Sequence, residues 1–227
     1  PQKIVPDYCE MGLVCNATGL KPDRQDFHAP VCRTIEVPEV LRPAEFGGLL
    51  GRSGIVDVFN CLRRPDEASF AGGVFIVVRC SDAGTWQTLK GKGIPVSRNN
   101  DHALLYNPQH LLGLEAPVSI LSAVRLGRST GSEVPRPVVD LVARASAPLK
   151  AGQRFEISDP HHHTMHGVDS FLTDAAPAVG SNPLPYYLAL HHSLKHDIAA
   201  GQMITADDVE IPASSVLHQL RQEQDTL

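Results

Sequence analysis

Asp197-Ile198-Ala199-Ala200-Gly201-Gln202-Met203-Ile204 repeats at its centre an earlier phrase, Pro148-Leu149-Lys150-Ala151-Gly152-Gln153-Arg154-Phe155. In both, an apolar residue stands two places ahead of Ala-Gly-Gln and another follows two places after it. The pattern predicts a pseudo-repeated β unit in which each Gly turns the chain, because glycine reaches positive φ without the Cβ penalty. Each copy has an apolar run upstream. Val138 to Ala145 reads as a strand, and Tyr186-Tyr187-Leu188-Ala189-Leu190 is strand-like. Downstream, Thr205-Ala206-Asp207-Asp208-Val209 supplies an N-cap and an acidic first turn, which predicts one helical turn. The tail, Ser214 to Gln224, sets Val216, Leu217 and Leu220 on one face, as a short helix docking by that face would.

Towards the N-terminus this region is closed off by Gly127 to Pro137, where Gly, Ser and Pro offer little to bury and little helix propensity. The reading is therefore α+β in two parts: 1–130, a linker at 131–137, and 138–227 with its C-terminal helix. In the first part, Gly12-Leu13-Val14-Cys15-Asn16-Ala17-Thr18-Gly19 reads as a buried strand ending in a polar turn. Pro38 to Leu41 opens a short helix, and Gly54 to Phe59 alternates weakly like a strand. Gly73-Val74-Phe75-Ile76-Val77-Val78-Arg79-Cys80 is the strongest strand, apolar enough to be covered on both faces. Leu111, Leu112, Leu114, Ile120, Leu121 and Val124 fit helical spacing, with a break expected at Pro117.

The 227 residues carry 20 Lys and Arg against 25 Asp and Glu, a formal net charge of −5. With the cations scattered rather than striped, nucleic acid and anionic membrane surfaces are poor partners. No run reaches the roughly 20 apolar residues of a membrane span, and residues 1–6 have no signal-peptide character. Five cysteines (Cys9, Cys15, Cys32, Cys61, Cys80), with no CxxC pair, suggest neither a disulfide framework nor a zinc ribbon. Cytoplasmic localisation is the expectation. The start without Met, running directly into an apolar stretch, reads as a piece of a longer protein.

The phrase Asp197 to Val209 resembles the signature of SAF domains, small β-clip folds. Upstream, Val14-Cys15-Asn16-Ala17-Thr18-Gly19-Leu20, Gly54-Ile55-Val56-Asp57, Gly73-Val74-Phe75-Ile76, Leu89-Lys90-Gly91-Lys92-Gly93-Ile94-Pro95 and Tyr106-Asn107-Pro108-Gln109-His110-Leu111 follow one another as in the homoserine dehydrogenase-like oxidoreductases that carry a C-terminal SAF domain. That group includes the deoxyxylulose-phosphate reductoisomerase-like enzymes of isoprenoid synthesis, and the resemblance covers nearly the whole chain. It implies an architecture of Rossmann domain, catalytic domain and SAF module. No Gly-x-Gly-x-x-Gly follows a strand here. The resemblance thus implies that 1–130 is the remainder of an oxidoreductase catalytic domain and 138–227 a β-clip (SAF-like) domain. The missing N-terminal Rossmann domain would bind NAD(P) in the intact protein. No tightly bound cofactor is expected on this chain, which by itself should not turn over.

Reducing a carbonyl needs a cation or proton donor at the developing alkoxide, and a phosphorylated or acidic substrate needs further cations. Lys90 and Lys92, on a Gly-rich segment, suit that demand, and in the resemblance Lys90 matches the lysine of the family's Lys-x-x-Gly segment. The plainer reading is a solvated basic loop. Tyr106-x-Pro108-x-His110 places a phenol and an imidazole just before a helix, with His110 in its first turn, where the dipole favours the neutral ring. Lys90, His110 and Tyr106 are the catalytic candidates. Lys92, Arg98, Asn16 and Thr18 are the substrate-binding ones, with turn and capping roles as their alternatives.

His161-His162-His163-Thr164-Met165-His166 is conspicuous, yet three adjacent histidines on an extended segment alternate sides and cannot meet one ion. A polar loop over the catalytic domain and no resident metal are expected. Cys15 and Cys80 read as small buried hydrophobes inside strands. Cys61 or Cys32 with His28 is a formal thiol-imidazole pair without an oxyanion-hole signal. Partners are a small-molecule substrate and, in an oligomer, further copies of the chain. A stand-alone SAF-type module binding a sugar or sugar acid without catalysis is the rival from another class, and an assembly role for the SAF half is a third.

Overall fold

A computed structural model describes residues 7–226 apart from 68, 71, 110–111, 133 and 160–162. The first described element is α1, Tyr8–Thr18, where the sequence reading has a strand. Its ends decide the conformation. Asp7 accepts the Glu10 N–H at 3.0 Å as N-cap, and Gly19, at φ 75°, closes the helix by donating to the Cys15 carbonyl at 2.8 Å. The run Leu13-Val14-Cys15 is therefore helical, with Leu13 exposed and Cys15 buried.

The structure falls into two compact units, 22–134 and 1–21 with 135–227. Residues 7–21, read from sequence with the first part, thus pack with the second. Arrangement into mixed helices and small sheets is α+β, as expected.

In the 22–134 unit, β1 (Val31–Cys32) pairs in parallel with β2 (Asn60–Cys61), Cys32 opposite Cys61. A 3-10 turn, Thr34–Glu36, leads into α2, Val37–Val40, whose Val37 packs with Cys32, Leu41, Leu50 and Leu104 in the core. β3 (Val74–Arg79) pairs antiparallel with β4 (His102–Asn107), Phe75 opposite Tyr106 and Val77 opposite Leu104. Phe75 and Val77 pack on the core while Val74 and Ile76 are exposed, so β3 is covered on one face, not two. Between these strands lies α3, Ala83–Gly91, capped by Asp82 accepting from Thr85 and anchored by buried Trp86. Gly93, at φ 75°, ends the helix by donating to Lys90, and the chain returns so that Leu104 donates to Pro95. The weak strand expected at Gly54 to Phe59 is irregular, the ladder beginning only at Asn60. α4, Leu112–Leu121, accommodates Pro117 without breaking and runs on into a π turn, Ser122–Leu126, stopped by Gly127 at φ 60°. The carbonyl that Pro117 cannot bond, four residues back, belongs to Gly113.

In the other unit, β5 (Val139–Ala145) and β8 (Val168–Asp174) form an antiparallel ladder, Val142 opposite Phe171. α1 lies against it. A Cβ on Gly12 would stand 3.4 Å from Leu172, and the Asn16 carboxamide accepts the Val138 and Val139 N–H groups at 2.8 and 3.0 Å while donating to the Val139 carbonyl. Short β6 (Ile157–Asp159) and β7 (Thr164–Met165) pair beside it. The two Ala-Gly-Gln phrases pair with each other. Leu149 and Ile198 exchange both backbone hydrogen bonds, at 2.9 and 3.0 Å. Gly152 donates to Leu194 as Gly201 does to Ala145, and Leu194 donates to Gln153 as Ala145 does to Gln202. This is an internal pseudo-two-fold, with Phe155 and Ile204 as equivalent residues in one buried core. Both turn glycines have positive φ, 79° and 85°.

Three local expectations change in this unit. Tyr186–Ala189 is a single helical turn, α5, because Pro183 and Pro185 deny it ladder donors and Pro185 accepts from Leu188. Thr205 to Asp208 is a turn rather than a helix start, closed by the Asp208 carboxylate accepting from the Thr205 N–H and hydroxyl, both at 2.7 Å, before β10 (Val209–Glu210) pairs with β9 (Ser193–Leu194). α6, Val216–Gln224, forms behind N-cap Ser215, but Val216, Leu217 and Leu220 are exposed and Arg221 is its buried residue. Arg221 grips Asp140 at 2.5 and 2.8 Å and Asp225 at 2.7 Å, so a buried ion pair, not an apolar face, docks the tail.

Candidate functional site

An open cleft of about 570 Å³ lies wholly within the 22–134 unit. The chain leaving β1 contributes Arg33, Thr34 and Ile35, and the chain leaving β2 contributes Cys61, Leu62 and Arg63. Lys90 comes from the last turn of α3, Gly93 to Val96 from the return segment, and Tyr106 from β4. Glu67 completes the lining, so three cations and one carboxylate face a single volume.

The charges are unevenly engaged. Arg33 Nη2 donates to Glu67 Oε1 at 2.8 Å, and the other Glu67 oxygen accepts the Arg64 N–H at 2.8 Å. Arg63 Nη1 donates to the Glu67 carbonyl at 3.0 Å. Lys90 is exposed, and its ammonium has no hydrogen bond or ion pair among the described residues. Behind Cys61, the Cys32 thiol is pushed up to about 11 by burial, with Glu36 and Cys61 adding to the effect. Cys61 itself rests at 3.6 Å from the Thr34 hydroxyl. The Tyr106 ring stands 5.7 Å from Phe70, at the edge of a cluster with Phe59 and Phe75.

Two polar assemblies hold the walls. Asp101 accepts from the Ser97 hydroxyl at 2.6 Å and from Arg42 at 3.0 Å, and lies 2.9 Å from His102 Nδ1. Burial opposes its charge, but Ser97, His102 and Arg42 outweigh that and hold the carboxyl below the ordinary range. This network pins the 97–102 turn that joins the Gly93–Val96 wall to β4. At the other end of β1 and β2, buried Asp57 accepts the N–H groups of His28, Ala29 and Val58 and binds His28 Nδ1 at 2.7 Å. Phe27 and Ala29 flank this couple at positive φ, 58° and 44°. With Nδ1 committed to Asp57, His28 is oriented by a carboxylate and not by Cys32 or Cys61.

Of the residues singled out from sequence, Lys90 and Tyr106 meet in the cleft. His110 lies outside the described residues, as do His161 and His162. Lys90 sits on a helix, not on an irregular Gly-rich loop, and Lys92 is the exposed C-cap of that helix outside the lining. Arg98 is also outside it, its backbone N–H donating to Glu39. Asn16 and Thr18 belong to α1 in the other unit, where Asn16 clamps residues 138–139 and the Thr18 hydroxyl donates to the Val14 carbonyl at 2.7 Å. Cys80 is half-buried just past the end of β3. His163 takes a left-handed turn at φ 51°, its Nδ1 3.2 Å from the Tyr187 hydroxyl. No group of three metal-ligating side chains occurs among the described residues. Arg33, Arg63 and Glu67 were missed from sequence. Their only signal was position, the two arginines lying one and two residues past a Cys that ends a strand too short to show periodicity.

Residues 6–116 match the family model of oxidoreductase DRL, catalytic domain, a stretch that contains every residue lining the cleft. The match supports an oxidoreductase catalytic domain there. No curated protein matches the chain. Among the described residues no helix is long and apolar enough to cross a membrane.

Proposed function

We propose that the 22–134 unit carries the substrate side of a NAD(P)-dependent oxidoreductase that reduces a carbonyl of a small phosphorylated or acidic compound, as the reductoisomerase-like enzymes of isoprenoid-precursor synthesis do. The observation that carries this reading is the cleft, in which cations from three separate elements surround one open volume with a phenol at its edge. A Rossmann-type site for a nicotinamide dinucleotide uses a glycine-rich turn between a strand and a helix. Among the described residues the parallel pair is two residues long and the β3 to α3 turn, Cys80-Ser81-Asp82, has no glycine, so these residues do not fit the cofactor. In this proposal a separate nucleotide-binding domain holds the hydride donor.

What the cleft's own groups do follows from their chemistry. Arg33 and Arg63 hold the anionic end of the substrate, with guanidinium forks suited to phosphate or carboxylate oxygens. Lys90 Nζ, unencumbered at the helix end, donates to the carbonyl oxygen as negative charge develops there, and the Tyr106 hydroxyl is a second donor. An exposed apolar face, of the kind that another domain would cover, supports the same reading. Leu114, Val118, Ile120, Leu121, Val124 and Leu126 on α4 and its π turn are all exposed, Val124 by 75%. We read residues 138–227 as the SAF-like β-clip, supported by their pseudo-two-fold ladder.

Titration of the chain with glyceraldehyde 3-phosphate, followed by amide chemical shifts, tests the proposal. Shifts should cluster at 33–35, 61–63 and 90–96, and Lys90→Ala should weaken binding about tenfold, the loss expected for one hydrogen bond to a charged group. Equal affinity in wild type, Lys90→Ala and Arg63→Ala would refute it. A sugar acid that shifts amides of 135–227 and none of 22–134 would put the binding-module reading in its place.

A further inference from the structure

The cleft already contains an anion of its own. Glu67 sits in a tight turn, Arg64-Pro65-Asp66-Glu67, closed by the Glu67 N–H donating to the Arg64 carbonyl at 3.1 Å, with Pro65 fixing φ at its second position. Arg64 and Asp66, both exposed, pair with each other at 2.7 Å rather than with the cleft. The turn points the Glu67 carboxylate at Arg33. One oxygen accepts from the Arg33 guanidinium and the other from a backbone N–H, each at 2.8 Å. A guanidinium and a main-chain N–H are the donor pair that an oxyanion of a substrate would take.

We infer that Glu67 is a tethered stand-in for the substrate's anionic group, occupying the Arg33 and Arg64 donors until an incoming oxyanion displaces it. The inference rests on the reading of the cleft as an anion site and adds how its affinity is set. Because the carboxylate is only one-third exposed and preorganised by its turn, it competes at high effective concentration. Its displacement costs the ligand part of its binding free energy and leaves Lys90, whose ammonium has no partner among the described residues, as the cation that a ligand meets first. The opposite role, a carboxylate that merely props Arg33 in place, makes the opposite prediction.

The test uses the full chain and inorganic phosphate, with binding read from chemical shifts in wild type, Glu67→Gln and Lys90→Ala. Glu67→Gln keeps the size and an acceptor for the Arg64 N–H but removes the competing charge. It should tighten phosphate binding about two- to fivefold, the value of one partly exposed ion pair, while Lys90→Ala weakens it. Unchanged or weaker binding in Glu67→Gln, with Lys90→Ala still weaker than wild type, overturns the stand-in role and leaves the anion cleft intact. Absence of phosphate binding in all three proteins overturns the cleft reading, and the inference falls with it.

Discussion

Asp101 shows how one side chain ties stability to pH. Burial opposes its charge, and the Ser97 hydroxyl, His102 and Arg42 overcome that opposition, so its folded carboxyl titrates below the ordinary value of about 3.9. The unfolded chain therefore takes up the proton first. Its contribution to stability is complete above about pH 4 and is lost as pH falls through the lower folded value. Urea midpoints of wild type and Asp101→Asn, compared from pH 7 to pH 3, should differ most at neutral pH and converge in acid. A gap that stays constant would mean that the carboxylate's charge does not matter. Arg221 poses a harsher case, since it and Asp140 are both buried. Removing one partner of such a pair leaves an uncompensated charge, so Arg221→Ala should cost about 3–5 kcal/mol in chemical denaturation. Arg221→Met, which keeps the stem but not the charge, should recover little of that loss while Asp140 remains.

At the scale of elements, what the sequence made legible depends on where each signal lies. β5 and the two Ala-Gly-Gln turns were readable because an apolar run and a repeated glycine are local signals, whereas the pairing of the two turns with each other is seen only in the structure. α1 was read as a strand because its apolar centre, Leu13-Val14-Cys15, is ambiguous at that length and its deciding residues, Asp7 and Gly19, lie at its ends. α5 was misread for a related reason, its prolines lying just ahead of the apolar run. In the cleft, Lys90 and Tyr106 were legible by chemistry, whereas Arg33, Arg63 and Glu67 come together only through the pairing of β1 with β2 and a four-residue turn. α4 is the element whose sequence exceeds what its surroundings bury. Because Ile120 and Val124 are exposed, Ile120→Lys with Val124→Lys should change stability by no more than about 0.5 kcal/mol per site. The same pair should reduce binding of an apolar dye. A large loss of stability would show that this face is packed within the chain.

Across the whole molecule, the two units divide the sequence unequally, because residues 7–21 pack with the C-terminal part although 22–134 intervene. The cost of removing α1 should therefore fall on the distant unit. Asn16 satisfies three backbone groups of residues 138–139, and Gly12 brings the helix within contact of Leu172 on β8. Asn16→Ala leaves those groups to find water, at about 1–3 kcal/mol for a buried set. Deleting residues 1–21 strips the whole helix from the ladder. Trp86, the only tryptophan of the chain, lies buried in α3 of the 22–134 unit and reports on that unit alone. The truncated chain should keep the blue-shifted emission of a buried indole while the amides of β5 and β8 lose hydrogen-exchange protection. Loss of both signals together would mean that the units unfold as one cooperative body. Loss of the tryptophan signal alone would mean that α1 supports the unit it precedes in sequence rather than the one it packs against.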